Sequence, residues 1–244
     1  MVFCFTFFTY NGQRIIRLKY KSINTDFIGD RLQWVLKNKN VLIFFSALAG
    51  LTGSVCIFFI NIKCWIILIP MGILSAFYVI PLGRKSPTLR ELPYIKIFII
   101  SMVWSLIIVW IPFFDTGINF NDRYTFYLGL LQVFMFIIAI TLPFDVRDIE
   151  FDIATDVKTI PRLLGIKNTI LFSELLLLGS LITLYMLNIN IYHFYALTAG
   201  HLITMLMILF TNKKRKELFY TGLIEGSVLI LYVSVIIADC FSFL

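Results

Sequence analysis

Charge is what this sequence has least of. Asp, Glu, Lys and Arg make up 14% of its 244 residues, against about 25% in soluble domains. Hydrophobic residues make up 59%, and the mean hydropathy is +0.90. A water-soluble globule of 28.3 kDa cannot hide that much apolar surface, because a domain of this size leaves much of its surface wet. A soluble enzyme is excluded, and so is disorder, which needs low hydrophobicity and high charge. Paired cysteine chemistry is missing too. Cys4, Cys56, Cys64 and Cys240 lie in or beside apolar runs, with no Cys-x-x-Cys and no metal-like spacing, and read as buried, inert thiols. There is no internal repeat, low-complexity tract or linker, so residues 1–244 read as a single membrane-embedded domain.

Long apolar runs are what remains. Crossing a bilayer takes about 20 apolar residues, and seven runs qualify: Val41–Ile62, Cys64–Leu82, Tyr94–Phe114, Tyr124–Phe144, Thr169–Leu187, Ile191–Thr211 and Gly222–Leu244. Val2–Tyr10 is an eighth, too short to cross unaided. It lacks the leading basic residues and the small-residue cleavage site of a signal peptide. The segments read as helices, since open sheets leave backbone unsatisfied in lipid and the alternation of a membrane barrel is absent. The expected fold is all-α: a polytopic transmembrane helical bundle of seven full spans plus a partial N-terminal helix.

The scarce charges set sidedness. Nineteen of the 21 Lys and Arg fall on alternate loops, and the other side receives only Lys63 and Arg123. By the positive-inside rule this predicts an integral protein of the cytoplasmic (inner) membrane, with the basic loops in the cytoplasm. The formal charge of +7 and pI of about 9.2 are then a topology signal and require no nucleic acid. The same parity puts Met1 outside or within the bilayer. We therefore expect the chain to lack one and a half helices, with an in-frame apolar segment upstream of Met1.

One cytoplasmic loop, residues 142–156, is acidic. Asp145, Asp148, Asp152 and Asp156 are spaced three, four and four apart. If the preceding helix runs on, that spacing stacks all four carboxylates on one face. Like charges so placed destabilise a helix by about 0.2–0.5 kcal/mol per pair, and a divalent cation would offset this. Magnesium takes one or two protein carboxylates plus substrate phosphates, so the stripe, flanked by Arg147, Lys158, Arg162 and Lys167, suits a phosphorylated anion bound through metal. A solvated acidic loop that keeps a helix end in water is the alternative. Within the spans, Glu174 and Glu225 read as residues that snorkel to the interface. His201 either faces a substrate or bonds between helices, and Asp239 reads as wet at the far interface.

The stretch Asp145-x-x-Asp148-x-Glu150-x-Asp152, then Lys158-Thr159-x-Pro161 and Leu164-Gly165, resembles the second aspartate motif of UbiA-type membrane prenyltransferases. Phe151 stands where many members have Gly. Tyr78-x-x-Pro81-Leu82-x-Arg84 is similar to the family's segment at the end of helix four, and Lys96 resembles a basic residue that helps bind diphosphate. The first motif departs from the pattern: at Tyr10-Asn11-Gly12-Gln13-Arg14 the Asn is kept and both acids are gone. Asp26 and Asp30 form a substitute pair in spacing, but lie too late among lysines and read as an ordinary solvated loop.

The resemblance implies transfer of an isoprenyl chain from isoprenyl diphosphate to an aromatic or lipophilic acceptor. Mg2+ would sit on Asp145, Asp148 and Asp152. Arg84, Lys96, Lys158 and Arg162 would face the diphosphate, with Asn11 and Tyr78 completing the substrate site. The degraded first motif leaves an alternative, a non-catalytic UbiA-like protein that binds a prenyl lipid or a membrane partner. A transporter lacks support, since its usual broken helices and paired repeats are absent.

Overall fold

The structure, a computed structural model, describes residues 1–20, 30–78, 80, 88–89, 92–115, 123–154 and 156–242. Its described residues are helical, with no strand among them, and fall into two compact units, Met1–Arg90 and Glu91–Leu244.

The first unit holds α1 (Val2–Tyr20), α2 (Asp30–Lys37), α3 (Lys39–Ile57) and α4 (Trp65–Phe77), the last led in by a 3-10 turn at Ile62–Cys64. The partial helix expected over Val2–Tyr10 is instead the start of a 19-residue helix. The change to polar residues after Tyr10 ends the apolar run but not the helix, because Gln, Arg, Leu and Lys are good helix formers. The motif-like stretch around Asn11 therefore lies inside a helix and not on a loop. α1 packs on α3. At Gly53 the approach is so close that a Cβ would stand 3.2 Å from that of Cys4, the small-residue packing that membrane helices use in place of a hydrophobic drive.

The second unit carries α5 (Ile95–Asp115), α6 (Arg123–Arg147), α7 (Ile149–Ala154), α8 (Ile160–Leu164), α9 (Ile166–Met186), α10 (Ile191–Leu209) and α11 (Ser227–Ser242), with a π-helical turn at Phe219–Ile224 leading into α11. α6 packs against α5 and α9, α9 against α10, and α10 against α11. Phe136, Ala139 and Ile140 of α6 meet Leu177, Ile208, Tyr220 and Ile224 in one core. A smaller cluster of Ile97, Ile138, Leu142 and Ile160 joins α5, α6 and α8, a short distance in sequence from Asp145 and Thr159.

Among the described residues, six helices are long and apolar enough to cross a membrane: Lys39–Ile57, Ile95–Asp115, Arg123–Arg147, Ile166–Met186, Ile191–Leu209 and Phe219–Ser242. The run expected at Cys64–Leu82 forms the shorter apolar helix Ile62–Phe77, which at 1.5 Å per residue rises about 24 Å against a hydrocarbon core of about 30 Å. Only 17–39% of each long window is buried, so most apolar side chains point outward, as lipid-facing helices require. α6 is the most enclosed of the six.

A polar cluster holds the second unit together at depth. His201, fully buried, donates from Nδ1 to the Leu197 carbonyl at 2.8 Å, which leaves Nε2 as an acceptor. That nitrogen lies 3.0 Å from Ser180 Oγ and 3.4 Å from Gln132 Nε2. α6, α9 and α10 are thus bonded to one another, and of the two roles expected for His201 the interhelical one is present.

Candidate active site

The acidic loop is built from the end of α6. The amide of Asp148 donates to the Phe144 carbonyl at 3.0 Å and that of Asp152 to the Asp148 carbonyl at 2.9 Å. Helical bonding thus crosses the break between α6 and α7, and Asp145, Asp148 and Asp152 keep the shared face that their spacing predicts. Asp156 leaves it. The chain departs from the helix after Ala154, Asp156 adopts a left-handed φ of 52°, and its side chain is 87% exposed. The four-carboxylate stripe is a three-carboxylate one.

Beyond it the chain is pinned at several points. The Val157 amide returns to the Asp152 carbonyl at 2.9 Å, and the Tyr94 amide just ahead of α5 donates to the Lys158 carbonyl at 3.1 Å. α8 ends at Gly165 with φ of +79°, a conformation that side chains with a Cβ rarely adopt, so the Leu-Gly of the motif is a helix stop. Arg162 is spent on the loop itself: it donates to the carbonyls of Val157 and Asp152 at 2.6 and 3.1 Å and pairs with Asp156 at 3.3 Å. Lys158 is exposed.

The three carboxylates differ in surroundings. Asp145, 2% exposed, pairs with Lys96 at the start of α5. Asp148 is gripped by Arg147 through two bonds, Nε to Oδ1 at 2.7 Å and Nη2 to Oδ2 at 3.0 Å. Asp152 is buried, and its Oδ2 has no hydrogen-bond partner of good geometry. Burial pushes its carboxyl above the ordinary range. Lys96 eases that rise, Asp145 and Asp148 add to it, and the neighbouring Thr159 hydroxyl eases it slightly. The three acids are close enough to feel one another's charge, and an unsatisfied buried oxygen faces a cost of about 1–3 kcal/mol.

These residues suit Mg2+ in donor type, since all are hard carboxylate oxygens and one lacks a partner. No group of three among the described residues converges into a ready-made metal cage. Mg2+ does not need one, because it is usually held by one or two carboxylates together with substrate phosphates and water. Asp152 and Asp148 are the donors best placed to hold such an ion.

A family model, the UbiA prenyltransferase family, matches residues 35–220. The chain belongs to this family. Comparison with curated proteins and with solved structures gives no match. The UbiA match includes Tyr78, Lys96, the whole acidic loop and Gly165, and it ends at Tyr220. Membership brings a prenyltransferase kind of activity. Asn11 lies ahead of the matched residues, in the first unit, where its side chain donates to the Phe7 carbonyl at 2.9 Å within α1. Tyr78 is buried at the end of α4, also in that unit. Arg84 lies outside the described residues, as does Asp26, and Asp30 begins α2.

One reading of a charged residue within a span changes. Glu174, expected to snorkel, is buried and its Oε1 lacks a partner, because its position in α9 turns it inward. Asp239 is exposed, as expected, and is also bonded to His193 at 2.8 Å. Glu225 is exposed as expected, whereas Cys240 is exposed where a buried thiol was expected. Sequence reasoning missed Tyr94, Thr159, Lys213 and Tyr220 around the loop. No motif spacing points to them; only Thr159 carried a signal, as part of the Lys-Thr pair.

Proposed function

We propose that this UbiA member transfers an isoprenyl chain from its diphosphate to an aromatic or lipophilic acceptor, with Mg2+, at the cytoplasmic end of a bundle in the inner membrane. The observation that carries this reading is Asp152, a buried carboxylate with an unpartnered oxygen beside Asp145, Asp148 and Lys96. A bound cation would offset the cost of so buried a carboxylate, which is why this setting supports a metal site. We also propose that residues 1–244 act as one domain, supported by a family match that runs across both compact units, and that Ile62–Phe77 is a seventh span.

In the reaction the allylic C–O bond breaks and its electron pair leaves with diphosphate. The acceptor's nucleophilic atom bonds to the allylic carbon and gives up its proton. Asp148 and Asp152 would hold Mg2+, and the chemistry that ion would supply is Lewis-acid neutralisation of the charge that grows on the leaving group. Lys96 adds a preorganised positive charge from the membrane side while holding Asp145 in place. Arg162 keeps the loop folded around Asp152, and exposed Lys158 meets the diphosphate from the water. By the family resemblance, Arg84 is a further candidate phosphate partner, and Asn11 and Tyr78 are candidate substrate residues, Tyr78 as an aromatic ring suited to an allylic cation.

The loss of the acids beside Asn11 favours a second reading, a non-catalytic relative that binds a prenyl diphosphate. The test is transfer from geranyl to long-chain diphosphates onto a panel of aromatic acids, with and without Mg2+. Turnover that needs Mg2+ and is abolished in Asp148→Ala and Asp152→Ala is the expected result. Full turnover in those variants would sink the metal site, and donor binding without turnover in the wild type would favour the second reading.

A further inference from the structure

The grip of Arg147 on Asp148 is unusually well supported for a half-exposed ion pair. Exposed pairs are weak because two flexible side chains must be held together. Here the guanidinium is held from outside the pair. Its Cζ lies 5.2 Å from the centroid of the Phe144 ring and 5.7 Å from that of Tyr220, and the two rings are 6.0 Å apart. A stacked arginine is pre-organised, so it loses little freedom when it forms its forked bond. Tyr220 is itself immobile. It is fully buried, its hydroxyl donates to the Asn212 carbonyl at 2.7 Å, and its own carbonyl accepts from the Glu225 amide at 3.0 Å. That last bond, five residues apart, belongs to the π-helical turn at Phe219–Ile224, a feature that often marks functional sites. A second tie joins the same segment to the acidic loop: Lys213 Nζ to Glu150 Oε1 at 3.0 Å.

We infer that Tyr220 is a positioning residue of the acidic loop, holding Arg147 so that the Asp148 carboxylate stays aimed at the place where metal and diphosphate bind. Tyr220 touches neither ligand. It acts through Arg147, from a helix that contributes no carboxylate, and the π turn fixes the height of its ring. This role rests on the metal–diphosphate reading of Asp148 given above.

The test uses the full-length chain in lipid nanodiscs, as wild type, Tyr220→Phe, Tyr220→Leu and Arg147→Lys. Thermal stabilisation by Mg2+ with inorganic pyrophosphate gives the half-saturating metal concentration, and hydrogen exchange without ligands reports the order of residues 148–157. Tyr220→Leu should raise the half-saturating Mg2+ about five-fold, as expected for one lost cation–π contact, and speed exchange across the loop. Turnover at saturating Mg2+ should stay close to wild type. Tyr220→Phe, which keeps the ring, should shift the metal response much less. Arg147→Lys, which makes no cavity, should reproduce the shift and so decides the matter if Tyr220→Leu does not fold. Wild-type metal response and exchange in both Tyr220→Leu and Arg147→Lys would overturn the inference. If the wild type itself gains no stability from Mg2+ and pyrophosphate, the functional reading fails, and the exchange measurement alone then decides whether Tyr220 orders the loop.

Discussion

Removing Lys96 should cost this protein more than removing the acid it pairs with. The Asp145 side chain is 3% exposed and that of Lys96 is 15% exposed, so Lys96→Met takes a close positive charge away from a buried carboxylate. Breaking a buried pair in this way costs about 3–5 kcal/mol. Asp145→Asn leaves the ammonium instead, but it sits on the second residue of α5 and its stem is long enough to turn the charge toward the interface. The cost there should be smaller, about 1–2 kcal/mol, the penalty of an imperfectly satisfied polar group. The double variant removes both charges and should recover most of the loss, since a buried pair is often replaceable by neutral groups of similar volume. The coupling between the two sites should then be about 3–5 kcal/mol, at or above the upper end of what contacting residues show. Thermal and denaturant unfolding of the four proteins in one detergent closes the cycle. Turnover provides the second readout, because the double variant should be stable yet inactive if Lys96 serves the leaving group. Wild-type stability in Lys96→Met, or a double variant no better than the worse single one, would refute the reasoning.

Two further predictions follow from the same region. Burial raises the Asp152 carboxyl above its ordinary value of 3.8. Its contribution to stability is therefore full below that value and is lost as pH rises through the raised one. Asp152→Asn should match the wild type near pH 4 and melt higher than it at pH 7–8 without ligands, while losing stabilisation by Mg2+ and pyrophosphate; a lower melting point at neutral pH would contradict this. At Gly226 a Cβ would stand 2.2 Å from the Gly222 carbonyl oxygen, so Gly226→Ala must shift the π turn at a cost of about 1–3 kcal/mol, and the Mg2+ titration should show it behaving like Tyr220→Leu.

The sequence was most legible where one physical quantity dominated. Hydropathy located the apolar helices within a few residues, and the three, four spacing of Asp145, Asp148 and Asp152 placed them on one face because helical bonding carries through the α6–α7 break. It was least legible where an end had to be found. α1 continues to Tyr20 because loss of hydrophobicity does not stop a helix, and Asp156 drops off the face because of a backbone φ that composition does not encode. The partners of the acids were hidden for a different reason. Lys96 and Asp145 are 49 residues apart and Tyr220 lies on the last span, so only the packing of α5, α6 and the π turn brings them together. Glu174 shows the limit of the snorkelling argument, since depth along a helix says nothing of which face the residue occupies.

The bonding of Gln132, Ser180 and His201 bears on how the chain enters the membrane. α10 is the least apolar of the six long spans, with a mean hydropathy of 1.3 against 2.5 for α5, and it carries an imidazole that bare lipid would reject. Gln132 on α6 and Ser180 on α9 precede it in synthesis. Inserted in that order, α10 would meet Gln132 and Ser180 already in the bilayer and would partition onto protein instead of into bare hydrocarbon. Order of translation would then supply what the hydropathy of this segment lacks, and a nascent chain arrested before α10 would carry an amide and a hydroxyl without their third partner.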